Sequence, residues 1–279
     1  MSTWQQLTIK DFEALRVIKD QFHLGVQNVA AVGRKFLEAS KGDENATLVW
    51  IPEYGRLAGK WIDANIRFRS SIGFNDFAVH LVDENVNSIS SFQLEGKSHG
   101  QVMVWLEEQI ALFGLDTSQL VLKLPYDLPE YLGSVGKPFS IEDMSLASEL
   151  GKYFHNGQLI AEEVKKAFNS DDVKCWPHHF DVTTKITVNN TGNPETSSYV
   201  NVGLSPGDEE FPEPYFFASP WPYPPVEELP KLTHGKWVDE HWVGAVLSAQ
   251  ELLEKEDQYK SVRRFMSESF AVFRKLMTY

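Results

Sequence analysis

Two long segments constrain the fold more than any other feature of the chain. Residues 8–40 carry Phe12, Leu15, Ile18, Phe22, Val26, Val29 and Val32 at close to helical spacing. Residues 144–168 repeat the pattern with Leu146, Leu150, Tyr153, Leu159, Ile160, Val164 and Phe168. A helix with one apolar stripe must bury it against a second layer. The text after each segment supplies that layer, as short β-branched and aromatic runs between turn residues. The expected class is α+β, with long helices packed on antiparallel sheets. Thr8 and Asp11 take capping-box positions at the start of the first helix. Gly25 and Gly33 oppose it, at about 1 kcal/mol each relative to Ala.

Finer reading gives an order of elements. Thr47–Ile51 reads as a strand ended by Pro52, and Ala58–Phe68 alternates loosely. Phe74–Val82 and Ser88–Leu94 read as a hairpin across Asp83-Glu84-Asn85. Ser98–Phe113 reads as a helix ended by Gly114, and Leu120–Leu124 as a short strand. Residues 125–141, with Pro125, Pro129, Gly133, Gly136 and Pro138, read as a connecting loop. Strands follow at His178–Val188, Tyr199–Leu204 and Tyr215–Ala218, with a hairpin turn over Asn189–Ser198. Pro220–Pro230 reads as irregular, and Val243–Leu253 and Lys260–Met277 as closing helices.

The two halves, 8–124 and 142–279, therefore share an order of long helix, turn, strands and helix. They also share local text. Phe22-His23-Leu24-Gly25-Val26-Gln27 is matched by Phe154-His155-Asn156-Gly157-Gln158, and Trp50-Ile51-Pro52 by Trp176-Pro177. The expectation is an internal duplication forming one continuous body, since no Gly/Ser linker separates the halves. Chance similarity of two amphipathic helices is the alternative.

Composition narrows the function. With 26 Lys and Arg against 39 Asp and Glu, the 279-residue chain carries a formal charge of −13, which argues against a surface that tracks nucleic-acid phosphates. The single cysteine, Cys175, excludes an intrachain disulfide and a Cys-rich zinc site. Met1–Lys10 has neither the basic start nor the apolar run of a secretory signal, and no stretch reaches the ~18 apolar residues of a membrane span. A bacterial-type cytoplasmic protein is expected. The sequence contains no G-x-G-x-x-G, P-loop, H-E-x-x-H or G-x-S-x-G motif, so it names no reaction and no cofactor.

Three clusters are candidates for chemistry. The first is Trp176-Pro177-His178-His179-Phe180-Asp181. Strand alternation would put His179 and Asp181 on one face, as a base held by a carboxylate or as two metal ligands, with His178 on the apolar side. A polar strand face is the plainer reading. The second is Ser205-Pro206-Gly207-Asp208-Glu209-Glu210 with Glu213. It is a cation-binding loop or, more simply, a solvated acidic turn. The third is the aromatic run holding Tyr215, Phe216, Phe217, Trp221 and Tyr223, which either lines a cleft or clamps an irregular segment to the core.

The chain resembles a bacterial family of proteins of uncharacterised function. The resemblance rests on His23-Leu24-Gly25-Val26-Gln27, on His179-Phe180-Asp181, on Gly203-Leu204-Ser205-Pro206-Gly207, and on the aromatic strand that enters the Pro-rich turn over Tyr215–Pro224. Leu204, where the family carries Phe, and the double His are departures. The resemblance implies architecture and no activity. The leading expectation is a protein, or an enzyme, that binds a small molecule. Its catalytic pair would be His179 and Asp181, with His178, Asp208, Glu213, Tyr215 and Trp221 binding, and no residue is assigned to a metal. The alternative is an interaction module that uses the aromatic C-terminal segment as its contact surface.

Overall fold

The computed structural model describes residues 3–85, 87–128, 136–193 and 196–277. The chain divides into two compact units. One comprises Ala14–Gly151 and Cys175–Phe180, and the other Met1–Glu13, Lys152–Lys174 and Asp181–Tyr279. The expected α+β class holds, as helices combine with two antiparallel sheets.

In the first unit, helix α1 (Phe12–Phe36) is followed by strands β1 (Val49–Ile51), β2 (Arg56–Ala58), β3 (Arg69–Gly73), β4 (Ala78–Val82) and β5 (Ser88–Gln93). These pair in sequential order as a meander. The hairpin read across residues 83–85 is present as the β4–β5 pair. The core forms where α1 meets the sheet: Phe22 stacks on Phe74 at 4.1 Å and meets Phe77 edge-on, while Trp50 packs its edge against Phe74. Between Ile18 and Gly33 nearly every residue of α1 is buried, including the polar Lys19, Asp20, His23, Gln27 and Asn28. Helix α2 (His99–Ala111) begins at the capping box of Ser98 and Gln101 and is followed by Gly114 at φ +84°.

Two readings in this unit are corrected. Ala58–Phe68 is not a strand; the chain loops there with one bridge, between Ile62 and Phe68, and the strands flank it. Strand β3 escaped notice because all five of its residues are buried, so it lacks the alternation of a half-exposed strand. Leu120–Leu124 is irregular, with Val121 exposed. The 125–141 loop lies partly outside the described residues. Its far end is anchored by Phe139, which is buried and exchanges backbone hydrogen bonds with Gly96 and Lys97.

The second sheet contains β6 (Lys174–Trp176), β7 (Asp181–Asn189), β8 (Ser198–Ser205), β9 (Tyr215–Trp221), β10 (Lys236–Val238) and β11 (Gly244–Ser248), in the order β10-β11-β9-β8-β7-β6. Helix α3 spans Met144–Phe168, with the bounds read from its periodicity, and α5 spans Gln258–Leu276. In the second unit, buried amides pin the N-terminal segment. Gln258 accepts from Leu7 N–H and donates to Leu7 C=O, and Asn156 does the same for Gln5. Each amide thereby satisfies one residue's backbone groups, as a neighbouring strand would.

Three corrections belong to this sheet. Val243–Leu253 is not one helix. Gly244–Ser248 is β11, paired on both sides, and Ser248 then caps the short helix α4 (Ala249–Leu253). A short apolar run does not distinguish a buried strand from a helix. Regular structure also extends into the proline-rich segment, since β9 continues through Pro220. Pro220 faces Val200 of β8 but lies beyond Ala218, where pairing with β11 ends, so its missing N–H interrupts no ladder on that side. The third correction is that β7 begins at Asp181, not His178.

Candidate functional site

A tight turn in the first unit follows Trp176. Phe180 N–H donates to Trp176 C=O at 2.7 Å, and Phe180 adopts φ +59°, unusual for a non-glycine residue. Pro177–Phe180 therefore form a turn, and the alternation that would have put His179 beside Asp181 on a strand face does not apply. The turn is fixed from below. Phe180 is fully buried and stacks on His23 at 5.1 Å, and Pro177 C=O accepts from His23 Nε2 at 2.9 Å and from Gln27 Nε2 at 2.7 Å. Just upstream, Cys175 is buried and exchanges backbone hydrogen bonds with Leu48.

His23, Gln27 and Arg34 follow one another at i, i+4 and i+11 and share a face of α1. Gln27 Oε1 accepts from the Tyr126 hydroxyl at 2.7 Å. That hydroxyl accepts from Arg34 Nη2 at 2.7 Å, and Arg34 grips Asp43 through Nε and Nη2 at 2.7–3.0 Å. Gly33 makes the last contact possible. A Cβ there would stand 2.4 Å from the Asn45 carbonyl oxygen, so only glycine lets the 3-10 turn Lys41–Ala46 lie against the helix and bring Asp43 to Arg34.

Above this chain of hydrogen bonds lies an open cavity of about 650 Å³. Arg34, Asp43, Lys123, Pro125, Tyr126 and His178 are among its lining residues. The Tyr126 and His178 rings lie 5.3 Å apart, and the Trp176 ring is 5.7 Å from His178. Burial, with the neighbouring His179, holds His178 down at about 4, so it is neutral at pH 7. Burial, with the charge of Lys19, holds His23 at about 3. Burial pushes the Tyr126 phenol up to about 12. Burial opposes the Arg34 charge, but Asp43 and Tyr126 outweigh it and keep the guanidinium above its ordinary value. The site thus combines a fixed ion pair, a protonated phenol and a neutral imidazole beside a space of metabolite size.

The sequence-predicted residues are divided between the units. His178 lines this cavity and His179 is exposed on the same turn. Asp181, Asp208, Glu213, Tyr215 and Trp221 belong to the other unit. There Tyr215 donates to Asp208 Oδ2 at 2.5 Å, and Asp208 Oδ1 accepts from the backbone of Glu210 and Phe211, closing the acidic loop on itself. Burial and Asp208 raise the Tyr215 pKa. Trp221 and Tyr223 are exposed and meet edge-to-face. Among the described residues no three His, Cys, Asp or Glu side chains gather as metal ligands, and no helix is long and apolar enough to cross a membrane.

Arg34, Asp43, Gln27 and Tyr126 were not singled out from the sequence. The available signal was the polar face 23–27–34 on an otherwise apolar helix. Asp43 and Tyr126 carried no local signal. In comparisons with known proteins, the chain matches no family model, no curated protein and no solved structure.

Proposed function

We propose that the protein binds a small organic anion in the cavity beside His178. The observation that carries this reading is the lining. Arg34 is fixed by Asp43, Lys123 stands at the rim without an ion-pair partner among the described residues, and the Tyr126 and His178 rings offer flat faces. Carboxylate or phosphate groups suit the cations, and a planar body suits the rings. Trp176 is the reporter. A metabolite screen by tryptophan fluorescence and thermal shift should find a ligand that stabilises the protein by about 2.7 kcal/mol at 100 times its Kd. Lys123→Glu should weaken binding at least tenfold. A ligand that binds Lys123→Glu equally well would refute this assignment.

We also propose that the two halves descend from one α+β unit. Support comes from the 25-residue helices α1 and α3, each followed by a three-residue edge strand carrying a Trp and then by strands that pair in sequential order, through β5 in one sheet and through β9 in the other. Superposing residues 8–124 on 142–247 should match the long helices and at least two strands in the same order. A helix on the opposite sheet face would end the idea. Exposed Trp221, Tyr223 and Val226 favour a second reading, in which this segment contacts a partner protein. Loss of a partner's binding on Trp221→Ser would support it.

A further inference from the structure

Around β4, three side chains outside the cavity form a line: Asp76 in the β3–β4 turn, His80 on β4 and Ser88 on β5. His80 Nδ1 is 3.0 Å from the Ser88 hydroxyl, and His80 Nε2 is 2.9 Å from Asp76 Oδ2. We propose that Ser88 is a nucleophile toward small activated carboxylic esters, with His80 as its base and Asp76 as the residue that positions His80.

Two features of the meander build this arrangement, one in the β4–β5 pair and one at the end of β3. The first is a bulge. Leu81 faces Ser90 and Val82 faces Ser88, so Ile89 is the extra residue. In an unbroken ladder Val82 would face Ile89, and Ser88 would project to the face opposite His80. The bulge carries Ser88 over to the face shared by His80 and Val82, the re-aiming of a side chain that bulges accomplish. The second is Gly73. A Cβ at this position would stand 2.1 Å from Asp76 Oδ1 and 3.3 Å from His80 Nε2, so any other residue would push the carboxylate away from the imidazole. Neither feature is needed for an ordinary two-stranded turn.

Exposure follows the same logic. His80 is buried, Asp76 is partly exposed, and Ser88 faces solvent on the edge strand β5. The nucleophile is therefore accessible while its base is held in place. The Asp76–His80 contact is close but poorly aligned for a hydrogen bond, as such contacts often are before substrate arrives. Burial raises the Asp76 pKa, but His80 and then Arg56 outweigh it and keep the carboxyl ionised below its ordinary range. An ionised Asp76 favours the Nε2–H tautomer, which leaves Nδ1 free to accept the serine proton once the Ser88 hydroxyl turns from the Ser90 carbonyl, to which it donates at 3.3 Å.

The step balances without a cofactor. Ser88 Oγ forms a bond to the ester carbonyl carbon, and its proton moves to His80 Nδ1. The carbon–oxygen bond to the leaving group then breaks, and His80 returns the proton to that oxygen. Water repeats the sequence on the acyl-serine and releases the carboxylic acid. Because Ser88 lies on an edge and not in a closed cleft, small esters with good leaving groups, such as p-nitrophenyl acetate, are the fitting class.

The test is to incubate the full chain with p-nitrophenyl acetate and follow acetylation of the Ser88 peptide by mass spectrometry. A positioned base supplies about 10²–10⁴-fold, so native protein should acylate Ser88 at least about 10²-fold faster than urea-unfolded protein. Ser88→Ala should abolish that label and Ser90→Ala should leave it. Asp76→Asn should slow it at least tenfold with its melting transition intact. The proposal is overturned if Ser88 acylates no faster in the native than in the unfolded chain, or if folded Asp76→Asn acylates at the wild-type rate. Should Asp76→Asn fail to fold, the native-to-unfolded ratio decides alone.

Discussion

Lowering the pH from 7 to 5 should destabilise the α1–meander unit through its buried histidines. His23 donates from Nε2 to the Pro177 carbonyl, and its Nδ1 has no acceptor for a second proton. His99 lies against Phe139 with Nδ1 on Asn28 Oδ1, and its Nε2 is likewise without a partner. Burial lowers His99 to about 4 and, with Lys19, lowers His23 to about 3. Both values lie below the unfolded value of about 6.5, so the unfolded chain takes up protons first. Stability is therefore full above about pH 6.5 and falls as the pH drops toward the folded values. At pH 5 each of the two contributes a loss of about 2 kcal/mol, and together about 4, against the usual 5–15 kcal/mol of a whole domain. His178 is only partly buried and adds a smaller amount with the same sign. Urea unfolding at pH 7 and pH 5, read by tryptophan fluorescence and by hydrogen exchange of α1 peptides, measures the difference. His99→Phe should remove about 2 kcal/mol of the pH dependence, whatever it does to stability at pH 7. A difference below about 1 kcal/mol between the two pH values, or an unchanged difference in His99→Phe, would refute the reasoning.

Gly33→Ala places a Cβ 2.4 Å from the Asn45 carbonyl, so the urea midpoint should fall by the equivalent of about 1–3 kcal/mol of overpacking, and Asp43 should separate from Arg34. Tyr126 carries a raised folded pKa of about 12, so its contribution is present below about pH 10 and disappears as the pH climbs to 12, at most about 2–3 kcal/mol. Tyr126→Phe should flatten that window in alkaline denaturation curves relative to wild type.

Much of the fold was legible where one pattern runs long. Helix α3 has the bounds its apolar stripe implies and α5 lies close to its own, while the β4–β5 hairpin is in place but residues 74–77, read as its first strand, are the turn before β4. Legibility failed where both faces of an element are buried. Arg69–Gly73 and Gly244–Ser248 are central strands, so no exposed face imposes an alternation on them. The site was legible in type but not in assembly. His178 was read as a residue at the mouth of a strand, whereas it lies on a turn and its direction depends on the positive φ of Phe180, which no residue preference announces. Arg34, Asp43 and Tyr126 meet only because the chain returns to α1, as the 99-residue separation of Gln27 and Tyr126 shows.

The position of Pro220 also bears on how this protein would misassemble. If the β10–β11 hairpin peeled away, β9 would become an edge rich in Tyr and Phe, the kind of edge on which another chain can add a strand. Only Tyr215–Ala218 would be bared by that loss, about 13 Å of ladder at the usual rise per residue. Two residues further on, Pro220 offers no N–H to an incoming strand. A local opening of this sheet therefore creates a docking edge too short to seed a growing aggregate. Replacing the buried Pro220 with valine would restore an N–H at that position and lengthen the edge an incoming strand could use.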